Sequence, residues 1–180
     1  MDDALAEPIA PLAAESDGVE AFEALYRRTL PRVYAYVASL LRDQAAAEDV
    51  TAQAFERAYR KRRSFRPSRG SPEAWLFGIA RNGALDELRR RKHRASLEVD
   101  VVDAAAEGVE SQAERVFRRE TVRAALAGLD RRDRDLVALK FAAGLSNAEI
   151  ARVLGVTESN AGSRLHRAVT KLRRACHEAS

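Results

Sequence analysis

The sequence predicts an all-α protein made of two small helical lobes. Apolar residues recur at helical spacing in each periodic stretch, and no stretch shows the alternation of a strand. Only 6% of the 180 residues are aromatic, while Ala, Leu, Glu and Arg abound, which is typical of small helical bundles. Between the two periodic halves, residues 95–113 are acidic and carry no Lys or Arg. This stretch predicts a flexible acidic linker that joins the lobes.

The first lobe is expected over residues 19–94, after a flexible tail at residues 1–18. Its first helix runs from Val19 to Leu41, and Pro31 within it predicts a kink or a helix boundary. A second helix covers about residues 45–63. The apolar face of this second helix consists of Val50, Ala54, Phe55 and Ala58.

A third helix completes the first lobe. The stretch SFRPSRGS has the composition of a loop, and Ser71-Pro72 then combines an N-cap residue with proline at the first helical position. The helix that begins there is expected to end near Arg94. Its buried side is predicted to consist of Trp75, Leu76, Ile79, Leu85 and Leu88.

The second lobe is expected over residues 114–180, where helical periodicity returns. Within LSNAEIARVLG, Ser146-x-x-Glu149 is a capping-box pattern and Gly155 is a helix-ending glycine. Thr157 can cap one further helix, which is expected to run to about residue 174. The predicted buried residues of this last helix are Ala161, Leu165, Ala168 and Leu172.

Charge is strongly segregated along the chain, although its formal net value is only +4. Residues 1–56 have a net charge of −7, and residues 57–94 carry 13 Lys and Arg against 3 Asp and Glu. Residues 95–114 contain six acidic residues and no basic one, and residues 115–180 have a net charge of +7. Two basic blocks separated by an acidic one favour an acidic partner such as nucleic acid.

The stretch SNAEIARVLGVTESNAGSRLHRAV predicts a helix-turn-helix, in which the second helix enters the DNA major groove by its N-terminal residues. Small polar residues at the start of that helix permit close approach to bases, and the arginines that follow can reach base edges and phosphates. An ordinary helical hairpin is the alternative. The predicted DNA-binding residues are Ser159, Asn160, Ser163, Arg164 and Arg167.

The first basic block, in residues 57–94, interleaves cations with aromatic rings. Such a combination is typical of surfaces that bind single-stranded nucleic acid, where each base stacked on a ring contributes roughly 1–3 kcal/mol. A solvated charged face is the alternative, and at least one of Trp75 and Phe77 is expected to belong to the core. The aromatic residues in question are Tyr59, Phe65, Trp75 and Phe77.

Other classes of function find little support in the sequence. No nucleophile–base pair, paired-carboxylate site or phosphate-cradling glycine loop is present, so an enzyme is not expected. Three histidines and the single Cys176 are too widely spaced for a zinc pattern, and no cofactor is expected. No signal peptide or membrane insertion is expected, because the N-terminus is acidic and apolar runs are short. The protein is therefore expected in the cytoplasm.

Taken together, these segments resemble the small extracytoplasmic-function (ECF, group IV) sigma factors of the sigma-70 family. AEDVTAQAFERAYRKRRSFR and SPEAWLFGIARNGALDELRRRKHR resemble region two of that family. LAGLDRRDRDLVALKFAAGLSNAEIARVLGVTESNAGSRLHRAVTKLRR resembles region four throughout. The resemblance implies a factor that binds core RNA polymerase and directs transcription initiation at specific promoters.

The resemblance also implies roles for individual residues. Asp49, Gln53 and Glu56 would dock on the coiled coil of the polymerase β′ subunit, and the flap of the β subunit would provide a further polymerase contact. Asn82 would read a flipped base of the minus-ten element beside the loop that contains Arg69. Ser163 and Arg167 would read the minus-thirty-five element, with Arg164 on phosphate. The remaining residues assigned to minus-ten binding and melting are Trp75, Arg89, Arg90, Arg91 and Lys92.

Promoter DNA and an anti-sigma factor are the other partners that the resemblance implies, with association to the nucleoid once the holoenzyme has formed. The chain departs from many family members at Gly162, where a cation is usual, so Gly162→Arg is expected to alter or tighten the minus-thirty-five preference. A stand-alone helix-turn-helix regulator is the alternative function. That alternative leaves the basic-aromatic block and the acidic linker without a purpose.

Overall fold

The computed structural model describes residues 17–97 and 113–178, and within them the side chains of residues 18–94 and 120–178. These residues form seven α-helices and two short 3₁₀ turns, and the described ranges contain no strand, as the all-α prediction requires. The 3₁₀ turns cover Arg62–Ser64 and Pro67–Arg69. The helices are α1 (Asp17–Leu41), α2 (Gln44–Lys61), α3 (Pro72–Leu97), α4 (Ala113–Ala127), α5 (Arg131–Phe141), α6 (Asn147–Leu154) and α7 (Glu158–Glu178).

The first lobe consists of α1, α2 and α3, which pack against one another around a shared apolar core. Helix α1 continues through Pro31, so of the two alternatives expected there, a kink or a helix boundary, the boundary is wrong. Proline removes a single backbone donor, and buried residues before and after it, such as Leu25 and Val33, hold both halves of the helix in the core. The predicted apolar face of α2 is buried as expected, at Val50, Ala54, Phe55 and Ala58.

Local capping residues determine where α2 and α3 begin. Asp43 Oδ1 accepts a hydrogen bond from the Ala46 amide at 2.9 Å and caps α2. Ser71 Oγ accepts from the Ala74 amide at 3.1 Å and caps α3, with Pro72 at the first helical position as predicted. Helix α3 extends to Leu97 rather than ending near Arg94.

The second lobe is formed by α4 to α7. Its core lies between α5, α6 and α7, and α4 packs on α7. Helix α7 extends to Glu178, slightly beyond the predicted end. The largest fully buried side chains of this lobe are Leu136, Leu139, Leu145 and Ile150.

The two lobes touch directly, with α1 packed on α5 and α3 packed on α6. Most of the predicted linker, and the tail up to residue 16, lie outside the described residues. The contact between the lobes was not part of the sequence-based expectation.

Candidate nucleic-acid interface

Local capping interactions set the ends of α6 and the start of α7 in the helix-turn-helix of the second lobe. Ser146 Oγ accepts from the Glu149 amide at 3.2 Å, and Glu149 Oε2 accepts from the Ser146 amide at 2.9 Å, which confirms the predicted capping box. Gly155 ends α6 in the left-handed conformation, with φ of 68°. Thr157 Oγ1 then accepts from the Asn160 amide at 3.2 Å and caps α7. These local bonds fix where α6 begins and ends and where α7 starts.

The predicted base-reading residues share one exposed face of α7. At 3.6 residues per turn, their positions fall within a sector of about 100°. The opposite face, formed by Ala161, Leu165 and Ala168, is buried in the lobe. Within the described side chains, no hydrogen bond engages the polar groups of the exposed set, so they are available to bases. This set consists of Ser159, Asn160, Ser163 and Arg167.

Arg164 is placed differently from the other predicted residues. Its Nη2 atom lies 3.6 Å from Oδ1 of Asp133 in α5, and its side chain is only 26% exposed. Lys171 Nζ donates to Oδ2 of the same carboxylate at 3.0 Å. Asp133 therefore ties α7 to α5 and orients Arg164 at the edge of the reading face. Asp133 was missed by the sequence analysis, because no local pattern links it to residues 31 and 38 positions away.

Gly162 lies on the side of α7 that faces α6 and is half-buried. A Cβ atom built at this position would lie 3.6 Å from Nδ2 of Asn147, which is ordinary van der Waals contact. The side-chain oxygen of Asn147 is buried without a hydrogen-bond partner among the described residues. The small residue at position 162 therefore leaves space between α7 and the first turn of α6.

In the first lobe, the residues predicted to read melted DNA lie along α3 and the loop before it. Arg69 is exposed in the second 3₁₀ turn. Trp75 is half-buried, and its ring packs against Phe65 with centroids 5.5 Å apart. Asn82 is exposed and lies seven residues beyond Trp75, on the same face of α3 and about 10 Å along the helix axis. An indole and a free amide thus line one face of the helix.

The aromatic residues of the basic block divide between core and surface. Phe77 is fully buried and contacts Tyr36, with ring centroids 5.7 Å apart, so it belongs to the core. Tyr59 is 40% exposed, and the guanidinium of Arg62 stacks on its ring at 4.1 Å. The sequence left open which of Trp75 and Phe77 belongs to the core, and the structure assigns Phe77 to it.

The arginine-rich end of α3 is organised by one carboxylate. Glu87 accepts contacts from Arg90, Arg91 and Arg94 at 3.1, 3.0 and 3.2 Å. Arg91 also reaches Asp43 at 3.0 Å and is half-buried, so it joins α3 to the start of α2. Arg89 and Lys92 are exposed, and Arg89 pairs with Asp86 at 2.6 Å. The sequence signal for this cluster is the spacing of its members. The three arginines follow Glu87 by three, four and seven residues, which places them on the same side of the helix as Glu87.

The predicted polymerase-binding residues lie on the exposed side of α2. Gln53 Nε2 donates to Asp49 Oδ2 at 2.7 Å, and Glu56 pairs with Arg60 at 2.6 Å. Asp49, Gln53 and Glu56 share one helical face, opposite the buried face of the same helix. The result is a continuous polar and acidic surface away from the core.

Glu149, in the first turn of α6, links the two lobes. Its Oε1 atom accepts a hydrogen bond from the Ser71 hydroxyl, which belongs to the loop before α3. Burial acts to raise the pKa of Glu149, but the hydrogen bonds from Ser71 and Ser146 outweigh it and hold this pKa below its ordinary value. The neighbouring Arg152 side chain lies over Gly70, 3.2 Å from the position of a Cβ atom there.

Metal-binding clusters and membrane-spanning helices are both absent from the part of the chain that the structure describes. No group of three or more His, Cys, Asp and Glu side chains there is placed to hold a metal ion. No helix in residues 17–97 or 113–178 is both long and apolar enough to cross a membrane.

The fold and the exposed residues define a class of DNA-binding protein with a helix-turn-helix lobe and a second, basic helical lobe. Comparisons with known proteins agree with this class. Residues 25–94 match the family Sigma-70 region 2, and residues 119–172 match the family Sigma-70, region 4. ECF RNA polymerase sigma factor SigK of Mycobacterium ulcerans (strain Agy99) is 32% identical over 89% of this chain and 88% of its own. ECF RNA polymerase sigma factor SigM of Bacillus subtilis (strain 168) is 28% identical over 83% of this chain and 91% of its own.

Solved structures give the same result. The sigma factor RpoE in complex with the anti-sigma factor NepR, from Bartonella quintana, has a TM-score of 0.68 at 25% identity, over 87% of this chain and 96% of that one. CnrH in complex with the cytosolic domain of CnrY has a TM-score of 0.65 at 26% identity, over 90% of this chain and 91% of that one.

This chain belongs to the sigma-70 family and is an ECF sigma factor. It binds RNA polymerase and directs it to promoters. A stand-alone helix-turn-helix regulator is not favoured. Such a function would leave the first lobe unexplained, and the first lobe is the part of the chain that matches region 2.

Proposed function

We propose that this sigma factor divides promoter recognition between two exposed faces, one on each lobe. The face of α7 formed by Ser159, Asn160, Ser163 and Arg167 reads the minus-thirty-five element in the major groove. Asn82, with Arg69 and Trp75 beside it, reads a base of the minus-ten element that has left the DNA stack. The observation that carries this proposal is that the polar members of both faces are exposed and form no side-chain hydrogen bond with another described residue, while buried apolar residues fix the helices that carry them.

The arginine-rich end of α3 has a separate role in this proposal. Arg89, Arg90 and Lys92 project into solvent and follow the phosphates at the start of the melted region. Arg91 contributes mainly by holding α3 against α2, because its guanidinium is engaged by Asp43 and Glu87. Arg164 is aimed at phosphate from its ion pair with Asp133.

The polymerase contacts are assigned to specific residues. The acidic face of α2, with Asp49, Gln53 and Glu56, docks on the coiled coil of the β′ subunit, and the flap of the β subunit forms a second contact. The exposure of all three side chains supports this assignment. An anti-sigma factor is a further proposed partner, supported by the two similar sigma factors that were solved with such proteins.

Sigma factors are generally non-enzymatic initiation factors, and we propose that this chain likewise performs no catalysis. Its place of action is that of the polymerase, in the bacterial cytoplasm and on the nucleoid when the holoenzyme has formed.

The testing experiment combines the purified chain with sigma-free core polymerase and selects promoters from a random library by run-off transcription. Specific transcripts that share a bipartite element are expected. The selection is repeated with Asn82→Ala and with Arg167→Ala, which should relax one half of the element each. Failure to bind core, together with binding of duplex DNA by the chain alone, would overturn the proposal.

A further inference from the structure

Asn147, the first helical residue of α6, carries a side-chain amide that the folded chain leaves unpaired. Its Oδ1 atom is buried without a hydrogen-bond partner among the described residues. Its Nδ2 atom also donates to no described residue. The residue as a whole is half-buried, so the nitrogen is the end of the amide that solvent reaches. An unpaired buried polar atom costs the folded state free energy, so this amide has a role other than stability.

Gly162 of α7 leaves the amide open on the side of α7. The nearest atom of another helix to a Cβ atom built on Gly162 is Nδ2 of Asn147, at 3.6 Å. Any larger residue at position 162 would direct its side chain into the space in front of this nitrogen. The capping box fixes the backbone of the first turn of α6, and the place of the amide is fixed with it.

The position of Gly162 around α7 indicates what the amide meets on DNA. Successive helical residues are turned by about 100°, so Gly162 and Arg164 lie about 200° apart, on opposite flanks of the face formed by Ser159, Ser163 and Arg167. The major groove is about 12 Å wide, close to the diameter of a helix with its side chains. A helix that directs one face at the bases therefore brings its two flanks against the phosphates of the two strands.

The two flanks of α7 differ in charge. Arg164 supplies a cation to one flank, whereas Glu158, one turn before Gly162, places an exposed carboxylate on the other. A carboxylate repels phosphate, so a hydrogen-bond donor is needed on the second flank. Asparagine side chains are common donors to phosphate oxygens. The amide of Asn147 is such a donor and faces this flank across Gly162.

We infer that Nδ2 of Asn147 donates a hydrogen bond to one phosphate of the minus-thirty-five element, through the space that Gly162 leaves open. The first helix of a helix-turn-helix crosses the DNA backbone, so α6 is placed for such a contact. A contact with phosphate fixes the register of the reading helix and selects no base. Asn147 is thus a positioning residue. This inference rests on the proposed function, because it takes α7 as the helix that reads the bases.

Replacement of single phosphates by neutral methylphosphonate groups tests the contact in the holoenzyme. Each phosphate of the minus-thirty-five element is replaced in turn, on both strands, and binding of the duplex is titrated. The unaltered chain is expected to lose affinity about tenfold at the contacted phosphate. Asn147→Ala is expected to lose about as much on the unmodified duplex, to lose nothing further when that one phosphate is replaced, and to keep every base preference.

Gly162→Leu and Asn147→Asp are the companion variants. Leucine at position 162 covers the amide, so Gly162→Leu should weaken binding as Asn147→Ala does, and the double variant should lose no more than either single one. Asn147→Asp retains the shape of the side chain, and a carboxylate in the first turn of a helix is favourable. Its charge repels phosphate, so it should weaken binding more than Asn147→Ala. None of the Asn147 variants should lower the unfolding midpoint, because the amide has no partner to lose.

Arg167→Ala is measured in the same assay to separate this inference from the proposed function. The inference alone is overturned if Arg167→Ala loses a base preference while Asn147→Ala binds every duplex as the unaltered chain does. Additive losses from Asn147→Ala and Gly162→Leu, or a lowered unfolding midpoint with unchanged binding, would overturn it as well. If Arg167→Ala keeps every base preference, α7 does not read the bases, and the proposed function falls together with this inference.

Discussion

The guanidinium of Arg164 lies 3.6 Å from the buried carboxylate of Asp133, whereas Arg167, one turn further along α7, is exposed and forms no ion pair with another described residue. Two arginines that look equivalent in the sequence therefore differ in their surroundings. Arg164 contributes to the structure of the lobe, and Arg167 is available for a base.

Arg167→Ala and Arg164→Ala should consequently behave differently. Arg167→Ala is expected to lose one base preference in the minus-thirty-five half, with about 1–3 kcal/mol of discrimination lost. Arg164→Ala is expected to weaken all promoters to a similar degree and to lower the unfolding midpoint, because Asp133 loses a partner. Run-off transcription on single-base promoter variants, with thermal unfolding of both proteins, measures the contrast. Identical base preferences in Arg167→Ala and the unaltered chain would contradict the assignment.

Gly162 can be tested separately for stability and for recognition. Gly162→Ala is expected to stabilise the lobe by about 1 kcal/mol, because alanine is the better helix former and its Cβ would meet Asn147 only at contact distance. Gly162→Arg is expected to change the selected minus-thirty-five element. Denaturant unfolding measures the first effect and promoter selection the second. An unchanged element with Gly162→Arg would argue against this placement of α7 on DNA.

Asn82→Ala should relax a single position of the minus-ten element. Its amide makes no hydrogen bond to another described residue, so the substitution removes a base contact without disturbing the fold. Transcription from templates with each base at that position gives the specificity ratio, which should fall about tenfold or more. Asp86→Asn, one turn further along α3 and also exposed, is the matched control and should leave the ratio unchanged.

The proposed polymerase-binding face of α2 can be tested by reversing one of its charges. Asp49→Lys is expected to weaken binding to core polymerase at least tenfold with little effect on the unfolding midpoint, because Asp49 is exposed. Glu48→Lys is the control, since Glu48 is an exposed neighbour that pairs with Gln44 rather than with Gln53. Fluorescence titration of labelled chain with core polymerase measures both. Equal losses for the two variants would place the contact elsewhere.

Glu149 gives the stability of the chain a defined dependence on pH. Its folded pKa is lowered from 4.5, so its contribution is fully present above that pH and is lost as pH falls through the lowered pKa. Glu149→Gln should therefore be less stable than the unaltered chain near neutral pH, and the difference should shrink in acid. Thermal unfolding between pH 3 and 7, roughly the range in which carboxyl groups titrate, measures it. A difference independent of pH would show that the charge of Glu149 is not involved.

Local signals in the sequence predicted most of the fold and the exposed candidate residues. Ser71-Pro72, the Ser146 and Glu149 pair and Gly155 each act over a few residues, so their spacing is sufficient to predict helix ends, and the structure confirms them. The helical spacing of apolar residues likewise predicted which face of α7 is exposed. Such predictions need only the helical period.

Contacts between distant residues could not be predicted in this way. Tyr36 and Asp135 are 99 positions apart, so no local pattern links them. Net charge was equally uninformative about pairing, since it counts Arg91 and Asp43 without showing that they meet. The packing of the lobes against each other follows from the complementary shape and charge of whole surfaces, which no local pattern contains.

Arg90, Arg91 and Arg94 gather around Glu87, and this arrangement bears on the proposed contact between the basic block and DNA. A cation already matched by a carboxylate attracts fewer phosphates, and binding there displaces fewer condensed counterions than the count of 13 Lys and Arg in residues 57–94 implies. The logarithm of affinity should thus vary less steeply with the logarithm of salt concentration than composition suggests. We therefore expect Glu87 to make promoter binding by the holoenzyme less sensitive to ionic strength.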